Sequence, residues 1–122
     1  MAVERTIGFS DVPSRGSHKN TATAAYTLSR DDSGIIFYQN YTTATTYTLP
    51  AVADSKGFVA WFYVSQTTGT LAITAPSAIF VGGDSVTNTT YTSDAVTGGC
   101  CMVTGDGTNY FFWDIKGTWT AS

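Results

Sequence analysis

The chain has 122 residues, a mass of 13.0 kDa, a net charge of −3 and a pI near 4.7. That length gives one domain with a single core, and the acidic balance lacks the general phosphate-neutralising charge of a nucleic-acid binder. No apolar run reaches the roughly 18 residues of a membrane-spanning helix. With 22 threonines, seven tyrosines, seven phenylalanines and three tryptophans against one glutamate and three lysines, the composition favours strands and predicts an all-β fold.

Charge is unevenly distributed. Residues 1–30 hold Arg5, Arg15, Lys19 and Arg30 against Glu4 and Asp11, whereas residues 31–122 hold two basic residues against seven aspartates. Residues 1–25 contain Gly8, Pro13 and Gly16 among isolated apolar residues (Val3, Ile7, Phe9, Val12), with no sustained period of 2 or 3.6. They read as an extended N-terminal arm, and MAVERTIGFSDVPSRG has no apolar run of the kind a signal peptide needs. His18, in the polar stretch RGSHKN, is the single histidine, the residue type best suited to general-base chemistry at neutral pH. No neighbouring motif supplies it with a nucleophile and an orienting group. We expect a solvent or interface histidine.

The body, residues 26–122, follows as short strands expected over 24–28 (just before its start), 35–40, 45–49, 58–66, 70–75, 78–81, 89–93, 100–104, 109–115 and 117–120. The turn signals DDSG, LPAVADSKG, QTTG, VGGDS, TGG and GDG separate them. Gly105-Asp106-Gly107 is the clearest hairpin signal, and residues 51–55 fit one helical turn after Pro50. No heptad, collagen-like or internal repeat is visible. The expected architecture is an antiparallel β-sandwich or jelly-roll-like domain.

Three of these strands are apolar on both faces. In VAWFYVS, Val59, Trp61 and Tyr63 oppose Ala60, Phe62 and Val64; Ile35–Tyr38 and Tyr110–Ile115 behave alike. A half-buried antiparallel strand alternates apolar with polar, so the second face is expected to meet another chain. Ile35, Phe37, Trp61, Phe62, Tyr63 and Phe112 are the expected oligomer-interface residues. Cys100 and Cys101 are chain neighbours, a spacing poorly suited to a disulfide, and on a strand they point to opposite faces. With one histidine and this cysteine pair there is no tetrahedral zinc spacing, and no D-x-[DN]-x-[DN]-G calcium loop occurs. No metal or cofactor is expected. Asp31-Asp32, Asp84 and Asp106 fall in turn signals, where aspartate bonds its own backbone; no catalytic residue is assigned and no enzymatic activity is expected.

The stretch TYTLPAVADSKGFVAWFYVSQTTGTLAITAPSAIFVGGDSV, followed by VTGGCCMVTGDGTNYFFWDIKGTW, resembles a module of tailed-phage fibre, spike and capsid-decoration proteins. The resemblance covers roughly residues 26–119 and lies in the order of features. A Thr-rich strand ends in Leu49-Pro50, and a small-residue loop reaches Gly57. An aromatic strand and the turn at Thr68-Gly69 lead to a further strand and the Gly82-Gly83 loop. Last comes the Gly105-Asp106-Gly107 turn before Tyr110 and Trp113. The vicinal cysteines and the Trp61-Phe62-Tyr63 strand depart from that module, and the arm lies outside it. The resemblance implies an all-β, trimeric structural part of a virion. No shaft segment is visible and the arm alone precedes the match. The expected function is therefore a capsid decoration (cement) protein that trimerises on the outer surface of the phage head. It would grip the major capsid protein through arm residues Arg5, Ile7, Phe9, Arg15 and Lys19, without nucleic acid or membrane. The alternative is a tail-fibre or spike tip binding a host receptor or glycan, with Trp119 and Tyr91 as candidate sugar-stacking residues.

Overall fold

Three segments of like sequence, Tyr26-Thr27-Leu28, Tyr47-Thr48-Leu49 and Ile73-Thr74-Ala75, lie side by side, and they explain how the chain is wound. The computed structural model describes residues 15–21, 23–66, 68–77, 80–81 and 87–122. Six strands form the first half: β1 (Gly16–Asn20), β2 (Ala25–Thr27), β3 (Ile35–Gln39), β4 (Thr45–Thr48), β5 (Val59–Val64) and β6 (Leu71–Thr74). Six more follow: β7 (Phe80–Val81), β8 (Thr87–Asn88), β9 (Thr90–Ser93), β10 (Cys100–Gly105), β11 (Tyr110–Lys116) and β12 (Trp119–Ala121). They make a seven-stranded sheet, β1-β3-β5-β10-β11-β7-β8, and a five-stranded sheet, β12-β9-β6-β4-β2.

The fold is all-β, but its sheets are mixed rather than antiparallel. β1, β3 and β5 run parallel in the larger sheet, and β2, β4 and β6 run parallel in the smaller. Up to β6 the chain alternates between sheets and returns each time beside the strand it left, so it winds as a coil of three turns. A parallel pair needs a crossover; here a strand of the opposite sheet provides it. Turn signals mark where a strand ends but not which sheet takes the next one, so the sequence reading missed this.

The winding also overturns the expectation of no internal repeat. Thr45 pairs with Leu71 and Ile35 with Ala60, each one turn of the coil further along the chain. FYQNYTTATTYTLP and FYVSQTTGTLAITAP are therefore successive turns, the second longer by a single inserted position. The first turn is shorter, with Gly16 opposite Ile35 and Ala25 opposite Thr46. β1 lies inside the span read as an extended arm, so among the described residues the sheets begin at Gly16. Its residues are exposed except Asn20. An edge rung has little apolar alternation to advertise it, because only one of its sides is covered.

The inner faces pack against each other through rings. Phe37 stacks on Phe62 at 5.4 Å, and Tyr47 of the opposite sheet meets both edge-on, at 5.6 and 5.3 Å. Phe112 stacks flat on Tyr91 at 4.1 Å, and Phe80 meets Tyr91 at 4.9 Å. Such pairs add roughly 0.5–1.5 kcal/mol each beyond the area they bury. One end of the coil is polar. Asn20 Nδ2 donates to Gln39 Oε1 (3.0 Å), Tyr47 Oη donates to the same oxygen (3.2 Å), and Gln39 Nε2 donates to Thr45 Oγ1 (2.6 Å) and to the Tyr41 carbonyl (3.1 Å). The side chains of Asn20, Gln39, Thr45 and Tyr47 are all buried. Asn20 and Gln39 stand opposite in register, so this network fixes how successive turns stack.

Loop ends are tied across turns as well. Arg15 Nη1 donates to the carbonyls of Asp31 and Ser33, and Arg30 Nη1 donates to those of Asp54 and Lys56. Residues Val52–Asp54 form the single helical turn expected after Pro50, as a 3₁₀ turn. β10 and β11 form the expected hairpin around Gly105-Asp106-Gly107.

Candidate functional site

The larger sheet has an outer face, and side-chain parity decides what it carries. Phe37, Phe62, Cys101 and Phe112 point inward, so Ile36, Trp61, Met102 and Trp113 point outward. The register places these four opposite one another across β3, β5, β10 and β11, as one continuous apolar row. A second row runs Tyr38–Tyr63–Cys100, and a third holds Val59, Thr104 and Phe111. Trp113 and Ile115 remain 52% and 57% exposed, and Tyr63 36%. The tryptophan is nevertheless held in place: its Nε1 donates to Thr104 Oγ1 at 2.9 Å. Tyr38 and Tyr63 meet edge-on at 5.8 Å. Aromatic side chains fixed on a rigid sheet lose little entropy when covered, which suits them to an interface centre. Lys19 and Lys116 flank the tyrosine row and are exposed.

The expected interface residues divide on this parity. Trp61 and Tyr63 lie on the outer face. Phe37 and Phe62 are fully buried and Phe112 is 9% exposed, all inside the chain's own core, and Ile35 packs against that core. These four cannot meet a partner on the outer face: alternation places them on the inner side of the same strands. Ile36, Tyr38, Met102, Trp113 and Ile115 were missed. The shared Phe-Tyr step, Phe37-Tyr38 and Phe62-Tyr63, could have revealed them, since it assigns both strands the same parity.

Of the arm residues, Arg5, Ile7 and Phe9 lie outside the described residues. Arg15 is committed to its own chain's turn, and Lys19 is exposed on β1. His18, on the same strand, is exposed and lies 5.0 Å from the Tyr26 ring and 6.0 Å from Phe37, at the open edge between the sheets.

Among the turn aspartates, Asp84 lies outside the described residues, and Asp31 stands in the first turn of the 3₁₀ helix Arg30–Asp32. Asp32 accepts from the Ser29 backbone N–H in a capping box. Asp106 accepts from the backbone N–H groups of Asn109 (2.7 Å) and Thr108 (2.8 Å), and these bonds hold its carboxyl below the usual range. Tyr91 is buried under Phe112. Trp119 packs edge-on against Phe112 and donates to the Lys116 carbonyl. Neither is among the exposed aromatic side chains; Trp113 and Tyr63 are. Both thiols are free, Cys101 buried inward and Cys100 half-buried outward. Among the described residues no three His, Cys, Asp or Glu side chains gather as a metal site. Compared with known protein families and with curated proteins, the sequence matches none.

Proposed function

We propose that this chain is a structural component of a tailed-phage particle, a capsid decoration protein that self-associates as a trimer on the outer surface of the head. One structural observation supports self-association: the rigid apolar row Ile36–Trp61–Met102–Trp113, left open on the larger sheet. Contiguous exposed apolar surface of this kind is uncommon on a monomer and marks an interaction site. The trimer and the place on the head rest on the order of features shared with the phage module. The shell contact falls in this reading at the coil's N-terminal end, where Lys19 is exposed. Single exposed ion pairs contribute about 0–1 kcal/mol, so apolar residues of the arm have to share the anchoring.

Immunogold labelling of particles with an antibody raised to residues 31–122 tests the reading. Label spread evenly over the heads supports it. Label at the tail tip moves the protein to the fibre or spike alternative, with Trp113 and Tyr63 as the aromatic residues to test against glycans. Particles without label overturn the virion reading.

A further inference from the structure

The β10–β11 turn needs a dipeptide that is prone to covalent rearrangement. Gly107 sits at φ +91°, in the left-handed region, so the turn favours glycine there. The same glycine removes the side chain that would hinder attack by its own amide nitrogen on the carboxyl group of the preceding aspartate. In a flexible Asp-Gly segment that nitrogen bonds to the aspartate Cγ. Its proton and a carboxyl hydroxyl leave together as water, and a five-membered imide forms. Water then opens the ring. Where it cleaves the bond to the main-chain carbonyl, the product is isoaspartate, whose backbone runs through Cβ and Cγ. The water lost is the water regained, so the mass is unchanged.

Two sets of contacts oppose the first step in this protein. The attacking group is occupied: Gly107 N–H donates to Ser55 Oγ at 3.0 Å. Ser55 is fully buried, and its own hydroxyl proton goes to the Val52 carbonyl at 2.7 Å. The attacked group is held as well. Asp106 Oδ1 accepts from the N–H groups of Thr108 (2.8 Å) and Asn109 (2.7 Å). Both bonds favour the ionised carboxylate, which resists attack more than the neutral acid does. The surrounding main chain is tied down too. Gly105 N–H donates to the Phe58 carbonyl, Gly57 N–H to the Gly105 carbonyl and Asp106 N–H to the Asn109 carbonyl. Ring closure joins Gly107 N to Asp106 Cγ, so the bond to Ser55 has to be given up first.

We infer that Asp106-Gly107 is a latent modification site, kept from forming isoaspartate by Ser55 and released to it when the β10–β11 turn parts from the 3₁₀ turn Val52–Asp54. The consequence reaches the outer face of the larger sheet. Turn length sets the register of β10 against β11, and that register places Met102 opposite Trp113 in the apolar row. An extra main-chain carbon in the turn disturbs it. The site stands on the contacts of this corner and is independent of the virion reading.

Prolonged incubation of the full chain at neutral pH tests it, followed by denaturation and digestion with an endoprotease that cuts before aspartate but not before isoaspartate. Aspartate at position 106 gives fragments 94–105 and 106–113; isoaspartate leaves 94–113 uncut. The native wild type should form the uncut fragment at least about tenfold more slowly than the same chain unfolded in urea. Ser55→Ala should form it about tenfold or more faster than the native wild type. Tyr47→Phe weakens the polar network at the opposite end of the strands and should leave the rate unchanged. A native rate equal to the unfolded one overturns the proposal, as does a Ser55→Ala rate equal to wild type or matched by Tyr47→Phe. If Ser55→Ala does not fold, a urea series on the wild type decides. Opening of one turn exposes little surface, so the rate should stay flat below the unfolding transition; a rate that climbs in step with global unfolding overturns the role of Ser55.

Discussion

Gly105 lies so close to Ser55 that a Cβ on the glycine would sit 2.5 Å from the serine Cβ and 2.6 Å from its carbonyl oxygen. This approach locks the β10–β11 turn onto the 3₁₀ turn beside it. Ser55, fully buried, donates from Oγ to the Val52 carbonyl (2.7 Å) and accepts from Gly107 N–H (3.0 Å). Gly105→Ala drives a methyl group into backbone, and overpacking of this kind costs about 1–3 kcal/mol or more. Ser55→Ala strands the Gly107 N–H at a cost of about 1–3 kcal/mol. Urea unfolding should show both losses as lower midpoints with unchanged slopes. Wild-type stability in Gly105→Ala would mean that the two turns are not docked.

The outer face of the larger sheet separates assembly from folding. Replacing Trp113 and Ile115 together by serine removes exposed apolar surface and leaves the core intact. The double variant should keep the wild-type far-ultraviolet spectrum and unfolding midpoint, and light scattering should show its mass falling to that of one chain. Phe62→Ser is the contrasting case: it empties a site at the centre of the ring stack, at about 3–5 kcal/mol by analogy with large-to-small core changes, and should unfold the protein. A wild-type protein that already runs as a monomer at high concentration would remove the interface.

How far the sequence could be read follows from what each signal encodes. Alternation and turn residues are local, and they located β3, β4, β5, β6, β10 and β11 closely. Sheet membership is not local. Nothing in Thr45–Thr48 distinguishes a hairpin partner of β3 from a strand of the opposite sheet, so the parallel coil was missed. The Tyr-Thr-Leu recurrence that betrays it was obscured by unequal turn lengths. β1 was invisible because a polar edge rung has no apolar face to display. At the candidate site, two-faced apolarity singled out the strands that carry the outward apolar row. It could not say which face was inside, because Phe62 and Trp61 are equally apolar and only the packing of Phe37, Tyr47 and Phe62 breaks the tie.

Two buried tyrosines make the fold sensitive to alkali. Burial pushes the Tyr47 hydroxyl up to about 12 from its ordinary 10.0, and burial, with Asp54 nearby, raises Tyr110 as well. A group whose folded pKa is raised loses its proton more readily in the unfolded chain. Its contribution is therefore complete below pH 10 and is lost as pH rises through the folded value. Stability should hold between pH 7 and 8, begin to fall near pH 9 as Cys101 of the unfolded chain ionises, and fall further above pH 10 by up to about 1.4 kcal/mol per pH unit for each such tyrosine. Tyr47→Phe should cost about 1 kcal/mol at pH 8, through its lost bond to Gln39, and should flatten the decline between pH 10 and 12. Urea midpoints across that range decide it; equal slopes in the two proteins would mean that Tyr47 ionises without opposing the fold.

The two cysteines, adjacent in sequence, should differ sharply in reactivity because the strand sends them to opposite faces. Cys101 is wholly buried, and burial together with the neighbouring Cys100 and Asp114 holds its thiol well above the ordinary value. Its thiolate is scarce and shielded, and only the thiolate attacks. Cys100 is half-buried on the outer face, opposite Tyr63 across the β5–β10 ladder. A disulfide-exchange reagent should therefore titrate one thiol in the native protein and the second only after denaturation, with Cys100→Ser abolishing the native reaction. The same residue also reports on assembly. If the outer face closes between copies, labelling of Cys100 should slow as protein concentration rises, and the Trp113/Ile115 double serine variant should remove that dependence. A native rate independent of concentration in both proteins would place Cys100 outside any interface.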